Sequence, residues 1–267
     1  MSSLEEVFQN RKHKSLFITY FSLGDPSYEA SPRFAKAILS GGADILELGI
    51  PFSDPIADGP VIQKSYKRAL DNSAFSMEQI LNTTQEIHKL NTEVPIVYLS
   101  YLNPIMQFGM EEFFSKAYLS GVRGVVVPDI PFDAEDYLQV FEIAKKNSIS
   151  IINLVTPATT KKRIHAIKKF SSGFIYYVTS YGVTGERKEL DDSLGKRIAE
   201  VQAETKLPVC AGFGISTPEQ AEKISQFADG VIIGSSIQKI IEANHTNLDN
   251  CEAELNRFVK EVRERME

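Results

Sequence analysis

The sequence has little cysteine, no long apolar run and no basic surplus, and each shortage removes a class of protein. Its two cysteines, Cys210 and Cys251, lie far apart and outside any C-x-x-C spacing, so neither a disulfide framework nor a thiolate zinc site is expected. No apolar stretch approaches the ~18 residues of a membrane helix, and the opening MSSLEEVFQNRKHKS lacks the apolar core of a signal peptide. The expectation is a cytoplasmic protein with no membrane role. The formal net charge is -6 and Lys and Arg are scattered, whereas a nucleic-acid surface needs a basic stripe. The short cluster Lys161, Lys162, Arg163 reads as the solvent side of a helix. What remains is ordinary for a soluble globular protein, 43% apolar and 24% charged. A length of 267 residues suits one α/β barrel domain spanning 1–267.

Runs rich in branched and aromatic residues recur along the chain: LFITYFS (16–22), ILELGI (45–50), PIVYLS (95–100) and GVVVPDI (124–130). IINLVT (151–156), FIYYVTS (174–180), LPVCAGF (207–213) and GVIIGSS (230–236) complete the set. They are almost continuously apolar, which suits parallel strands buried on both faces. Helical patterns separate them. One is DAEDYLQVFEIAKKN (133–147), with Tyr137, Leu138, Phe141 and Ala144 on one stripe and Asp133 placed to cap it. This alternation predicts a (β/α)₈ TIM barrel with an extra N-terminal helix; an open doubly wound sheet is the alternative. The second connection is overlong. It holds the loop PFSDPIADGP and an additional helix, PVIQKSYKRAL, ahead of the crossover helix SMEQILNTTQEIHKL. Long loops in compact domains are usually functional, and loops after barrel strands form the active-site face.

Two acids belong to that face. Glu47 sits inside the apolar run ILELGI, and Asp58 follows at the far end of the loop that also holds Asp54. A carboxyl in a buried strand is costly unless it is paired or used. The last two strands end in glycines, AGFGIS (211–216) and IIGSS (232–236), each opening toward a helix. Glycine admits close approach, and the first amides of a helix favour an anion. Loops after strands 7 and 8 are the usual phosphate site of a barrel. The polar segment TSYGVTGERKELDDSLG, with Gly182 and Gly185, reads as a lid over that phosphate. No lysine falls within the proposed strands, which leaves a Schiff-base aldolase without its nucleophile. None of His13, His88, His165 and His245 is placed to hold a metal at the strand ends, and Cys210 reads as a buried filler. Asp129, in VPDIP, reads equally as a turn-shaping or a catalytic acid.

LELGIPFSDPIADGPVIQ, together with SLGDP (22–26), YLNPI (101–105), VVPDIP (126–131), GVTG (182–185) and GFGIS (212–216), resembles the tryptophan synthase alpha chain family. The match runs in order from about residue 16 to residue 241. The resemblance implies a (β/α)₈ barrel that cleaves indole-3-glycerol phosphate by a retro-aldol reaction to indole and glyceraldehyde 3-phosphate, a step in tryptophan biosynthesis. Glu47 and Asp58 match the family's two catalytic acids. Gly185, Gly214, Gly234 and Ser235 match its phosphate contacts, and Thr184 falls in the lid. Tyr20, Leu99, Tyr176 and Phe213 would form the indole slot. Tyr20 stands where a relative carries phenylalanine, so only ring packing is transferred there. Ser180 and Tyr181 stand where some members carry arginine, and no lid chemistry is transferred to them.

The resemblance further implies no cofactor in this chain. Pyridoxal phosphate belongs to the family's beta chain, the expected partner in an alpha2-beta2 hetero-tetramer. The loop bearing Pro51, Asp54 and Pro55, expected to be exposed, and the loop around Asn103 and Pro104 would face that partner. Two competing functions stay open on the residues alone. One is a sugar-phosphate isomerase or epimerase on the same barrel; the other is a weakly active regulatory subunit.

Overall fold

Period-two alternation along each strand sorts the apolar residues into two layers. The computed structural model describes residues 3–72, 74–179 and 192–267. Among these the strands are β1 (Leu16–Ser22), β2 (Ile45–Gly49), β3 (Ile96–Leu99), β4 (Val122–Val126), β5 (Ser150–Ile151), β6 (Leu154–Val155), β7 (Ile175–Val178), β8 (Val209–Gly212) and β9 (Gly230–Ile233). They form one parallel sheet in the order β5-β4-β3-β2-β1-β9-β8-β7-β6. Its two edges, β5 and β6, are separated only by residues 152–153, so chain continuity closes the sheet into the expected α/β barrel.

Leu16, Ile18, Tyr20, Ile45, Val97 and Ile232 pack together inside the barrel. Their neighbours Phe17, Phe21, Leu46, Leu48 and Tyr98 belong to the outer layer under the helices. Those helices are α1 (Leu4–Gln9), α2 (Ala30–Ser40), α3 (Pro60–Asn72), α4 (Met77–Leu90), α5 (Leu102–Phe108) and α6 (Met110–Leu119). They continue with α7 (Glu135–Lys146), α8 (Lys161–Ile167), α9 (Asp192–Thr205), α10 (Pro218–Ser225), α11 (Ser235–Asn244) and α12 (Leu248–Met266). None of the helices among the described residues is long and apolar enough to cross a membrane.

The N-terminal helix α1 is held by a capping box in which Ser3 and Glu6 bond each other's backbone. Leu4 and Phe8, four apart and so on one face, enter the interior cluster. The rings of Phe8 and Phe174 stand 5.7 Å apart. The inserted helix after the second strand is α3. Its face carries Ile62, Ser65, Tyr66 and Ala69 inward.

Several sequence expectations need correction. The run 151–156 is not one strand: β5 pairs with β4, and β6 pairs with β7. The backbone changes partner between them, Ile152 N–H bonding to Val125 and Asn153 C=O accepting from Tyr176. The run 230–236 ends as a strand at Ile233, because its serines start α11. Asp133 does not cap α7. The capping position is Ala134, without a side-chain bond, and the Asp133 carboxylate instead lies 4.0 Å from Arg163. Leu138 is 54% exposed, and the inward stripe is Tyr137, Val140 and Ala144. At ~100° per residue, position 138 turns away from a stripe centred on 137 and 144.

Candidate active site

The C-terminal strand ends surround an open pocket of about 430 Å³. Tyr20 reaches it from β1, Leu99 from β3, Tyr176 from β7 and Ile232 from β9, with Asp58 at its wall. Glu47 lies opposite Tyr20 in the β1–β2 register and opposite Val97 in β3. It is 2% exposed and does not line the pocket. Neither carboxyl oxygen has a hydrogen-bond partner among the described residues. Loss of water pushes its pKa up to about 8, and the nearby Asp58 charge adds to the rise. The group is therefore largely a neutral acid at pH 7.

Asp58 is held by contacts from its own loop, from Tyr101 just after the neighbouring strand β3, and from α3. Tyr101 donates its hydroxyl to Asp58 Oδ2 at 2.6 Å and accepts the Ala57 N–H at 3.0 Å. Asp58 N–H bonds to Pro55 C=O at 3.1 Å. Gln63 Nε2, in the first turn of α3, donates to the Asp58 carbonyl at 2.8 Å. Burial raises the Asp58 pKa to about 6, and the Tyr101 bond pulls against that rise. The sequence reading missed Tyr101 as a functional residue. Its signal was present, since Leu99 and Tyr101 share one face at period two and both fall in the same cluster. Asp129 is tied to the backbone: both its oxygens accept from Leu102 N–H at the start of α5, at 3.0 and 3.2 Å.

Tyr176 and Phe213 form an aromatic corner, with ring centroids 5.8 Å apart at 65°. Phe213 has φ 69 and Gly214 φ 75. A left-handed backbone is costly for phenylalanine, by about 1–3 kcal/mol. Here it turns the end of β8 so that Phe213, Gly214 and Ile215 all border the pocket. Thr179 fixes the bend by donating its hydroxyl to Phe213 C=O, and its N–H bonds to Gly212 C=O at 2.9 Å. Gly49 is required by close approach. A Cβ there would overlap the Tyr20 hydroxyl and lie 2.8 Å from that of Tyr66. The Tyr20 hydroxyl donates to Tyr66 at 3.0 Å and lies 3.1 Å from the Ser22 hydroxyl.

The two glycine-rich strand ends differ. At α10, Thr217 and Gln220 form a capping box, and Gln220 Oε1 takes the N–H groups of Ser216 and Thr217. At α11 the cap is Gly234, with no side-chain bond. The first amides of α11 are thus unspoken for by a cap, and Gly214, Gly234 and Ser235 all border the pocket. Gly185, Thr184, Gly182, Ser180 and Tyr181 lie outside the described residues.

A second groove, about 590 Å³, brings Pro51 beside Asn103 and Pro104, with Phe52, Leu70 and Phe75. Pro51 is buried rather than exposed, packed at the end of β2; Pro104 is buried too, and Pro55 is half-buried. Asp54 is exposed and accepts the Ser53 hydroxyl. Beside these residues, Ile56 is 81% and Met106 50% exposed. None of the four histidines lines the pocket. No group of three or more His, Cys, Asp or Glu among the described residues could hold a metal ion. Cys210 is fully buried in the barrel interior.

The family model for the tryptophan synthase alpha chain matches residues 8–267. The tryptophan synthase alpha chain of Leptospira borgpetersenii is 54% identical over 266 residues, covering 100% of both chains. That of Lacticaseibacillus casei is 42% identical, covering 98% of this chain and 95% of its own. Among solved structures, the Legionella pneumophila alpha subunit superposes with a TM-score of 0.86 at 35% identity, covering 98% and 96% of the two chains. A chain from the Pyrococcus furiosus tryptophan synthase a2b2 complex gives 0.84 at 35% identity, covering 95% and 99%.

Proposed function

The chain belongs to the tryptophan synthase alpha chain family; it is a carbon–carbon lyase for indole-3-glycerol phosphate, and we propose that Glu47 and Asp58 carry the bond-breaking step. The observation that carries this assignment is a buried Glu47 whose oxygens have no hydrogen-bond partner among the described residues, beside a pocket bordered by the Tyr176–Phe213 corner and by the uncapped start of α11. The indole ring sits between Leu99, Tyr176, Phe213 and Tyr20. The phosphate lies at Gly214, Gly234 and Ser235; Gly185 and Thr184, which the family resemblance adds as phosphate contact and lid, lie outside the described residues.

Glu47 delivers its proton to indole C3, which leaves a cationic, electron-accepting ring. Its carboxylate then takes the proton of the hydroxyl on the adjacent carbon. The C–C bond breaks, its electron pair returns to the ring, the aldehyde forms and the acid is regenerated. Asp58 accepts the indole N–H and stabilises the positive charge on nitrogen. To reach C3, Glu47 must turn toward the pocket, and no hydrogen bond among the described residues holds its oxygens back. This scheme needs neither metal nor organic cofactor in this chain; pyridoxal phosphate is assigned to the beta chain. The whole chain, 1–267, is read as one barrel domain, acting in the cytoplasm.

Release of indole by the isolated chain tests the reaction, and its pH profile tests the acids. The working form has Glu47 protonated and Asp58 ionised, so kcat/KM should be bell-shaped. It should fall below about 6 as Asp58 gains a proton and above about 8 as Glu47 loses one. Tyr101→Phe should move the acid limb upward, because the Tyr101 bond lowers the Asp58 pKa. A flat profile from pH 5 to 9 would remove both acids from the mechanism.

The chain assembles with a tryptophan synthase beta chain as an alpha2-beta2 hetero-tetramer. The groove of Pro51, Asn103 and Pro104, with exposed Ile56, Met106 and Asp54, is the proposed partner face. Indole is apolar and diffuses away, so a consumer docked near the barrel mouth has a physical rationale. Mixing with a cognate beta chain is expected to raise the cleavage rate about 5- to 150-fold, the range of ordinary site coupling. No complex by light scattering and no change in rate would leave a stand-alone lyase.

A further inference from the structure

The helix that follows Asp58 and the helix that opens on the phosphate end are joined by buried polar bonds running through the end of β1. Gln238 N–H makes an early bond of α11, to Gly234 C=O at 2.9 Å. Among the described residues its fully buried side chain bonds outside its own helix. Oε1 accepts Ser22 N–H at 3.1 Å, and Nε2 donates to Asp25 Oδ2. Asp25, also fully buried, grips Arg68 of α3 at two points, Nε to Oδ1 at 2.9 Å and the second guanidinium nitrogen to Oδ2 at 2.8 Å. Arg68 also reaches Glu242, back on α11, at 3.2 Å.

A second strand of bonds runs alongside. The Ser22 hydroxyl lies 2.6 Å from that of Ser65 on α3, and Ser65 donates to Ile62 C=O. At the start of α3, Gln63 holds the Asp58 carbonyl by its side chain and Gly59 C=O by its N–H. A methionine or leucine at 238 would fill the same space, so volume alone does not call for glutamine there. Two directed bonds from one buried amide fix orientation, which packing does only loosely.

We propose that Gln238, Asp25 and Arg68 are positioning residues, through which phosphate held at the start of α11 sets the placement of α3 and so of Asp58. The inference rests on the phosphate and indole sites of the proposed function. Coupling of this kind is reciprocal: phosphate must tighten whatever binds at Asp58, and the Asp58 ligand must tighten phosphate.

The test uses indole and inorganic phosphate as separate probes on the full chain. The sequence contains no tryptophan, so bound indole is read by its own fluorescence. In the parent, saturating phosphate is expected to tighten indole binding about fivefold, at the low end of ordinary coupling. Gln238→Met should cut that factor below about twofold, with indole affinity in the absence of phosphate within about twofold of the parent. A merely structural role would lower stability and leave the factor unchanged. Arg68→Lys keeps the charge and loses the two-point grip, so it answers the same question should Gln238→Met fail to fold. A folded variant that keeps the full factor overturns the proposal. So does a parent that cleaves indole-3-glycerol phosphate yet shows no coupling. A parent that neither cleaves the substrate nor binds phosphate overturns the functional reading and this inference with it.

Discussion

A folded Glu47→Gln protein is expected to release indole from indole-3-glycerol phosphate roughly 10²–10⁴-fold more slowly than the parent. The amide keeps the shape and the neutrality that the carboxyl has at pH 7, but it can neither give a proton to C3 nor take one from the hydroxyl. Substrate binding should change little, so the loss should appear in kcat. Stability supplies an independent check. The folded pKa of Glu47 is raised from 4.5 to about 8, so the folded state binds the extra proton across that interval. The stability this confers is fully present below about pH 4.5 and is lost as pH rises through about 8. Relative to the parent, Glu47→Gln should therefore gain on the order of a few kcal/mol between pH 5 and pH 9. Near-normal indole release, or parallel unfolding curves at both pH values, would show that Glu47 is not the buried acid of the reaction.

The second large loss is expected for Asp58→Asn. An amide can still accept from the indole N–H, but it carries no charge to oppose the cation that forms on nitrogen. Removal of such electrostatic stabilisation typically costs about 10²–10³ in kcat. Tyr101→Phe should be milder, since it takes away one hydrogen bond and leaves the charge. Asp129→Asn is the matched control, because that carboxylate serves Leu102 N–H. It should lower stability and leave kcat close to the parent. A harmless Asp58→Asn beside an inactive Asp129→Asn would reverse the two assignments.

The parts of this enzyme that were legible in its sequence are those set by local chemistry. Branched apolar runs identified the strands, and the overlong connection marked α3 and the Asp58 loop. A carboxyl inside ILELGI had no cheap structural explanation. What escaped depends on residues that meet only after folding. Period two puts Tyr101 on the face of Leu99, but it is 43 positions from Asp58, and nothing local says that their side chains meet. Gln238 reads as one polar residue in an amphipathic helix, yet it is fully buried because Ser22 and Asp25 await it. The two glycine-rich ends read alike in the sequence, but Gln220 occupies the amides before α10. Helix 133–147 was found, but one residue of drift in its stripe exposed Leu138 and left Asp133 beyond reach of the first amides.

The order of the strands also dictates how the chain must reach its native state. From β1 to β5 every ladder joins consecutive strands, and so does every ladder from β6 to β9. Each set can assemble from near neighbours as soon as it is synthesised. Among the described residues the one distant pairing is β1 with β9, in which Leu16 meets Gly230 and Thr19 meets Ile233. Closing so long a loop carries the largest entropy cost of any ladder in the sheet. Until it is made, β1 is an unpaired edge exposed to other chains. Refolding at high protein concentration should therefore lose yield to aggregates templated on β1. In pulse-labelling exchange, the amides of the β1–β9 ladder should be the last in the sheet to gain protection.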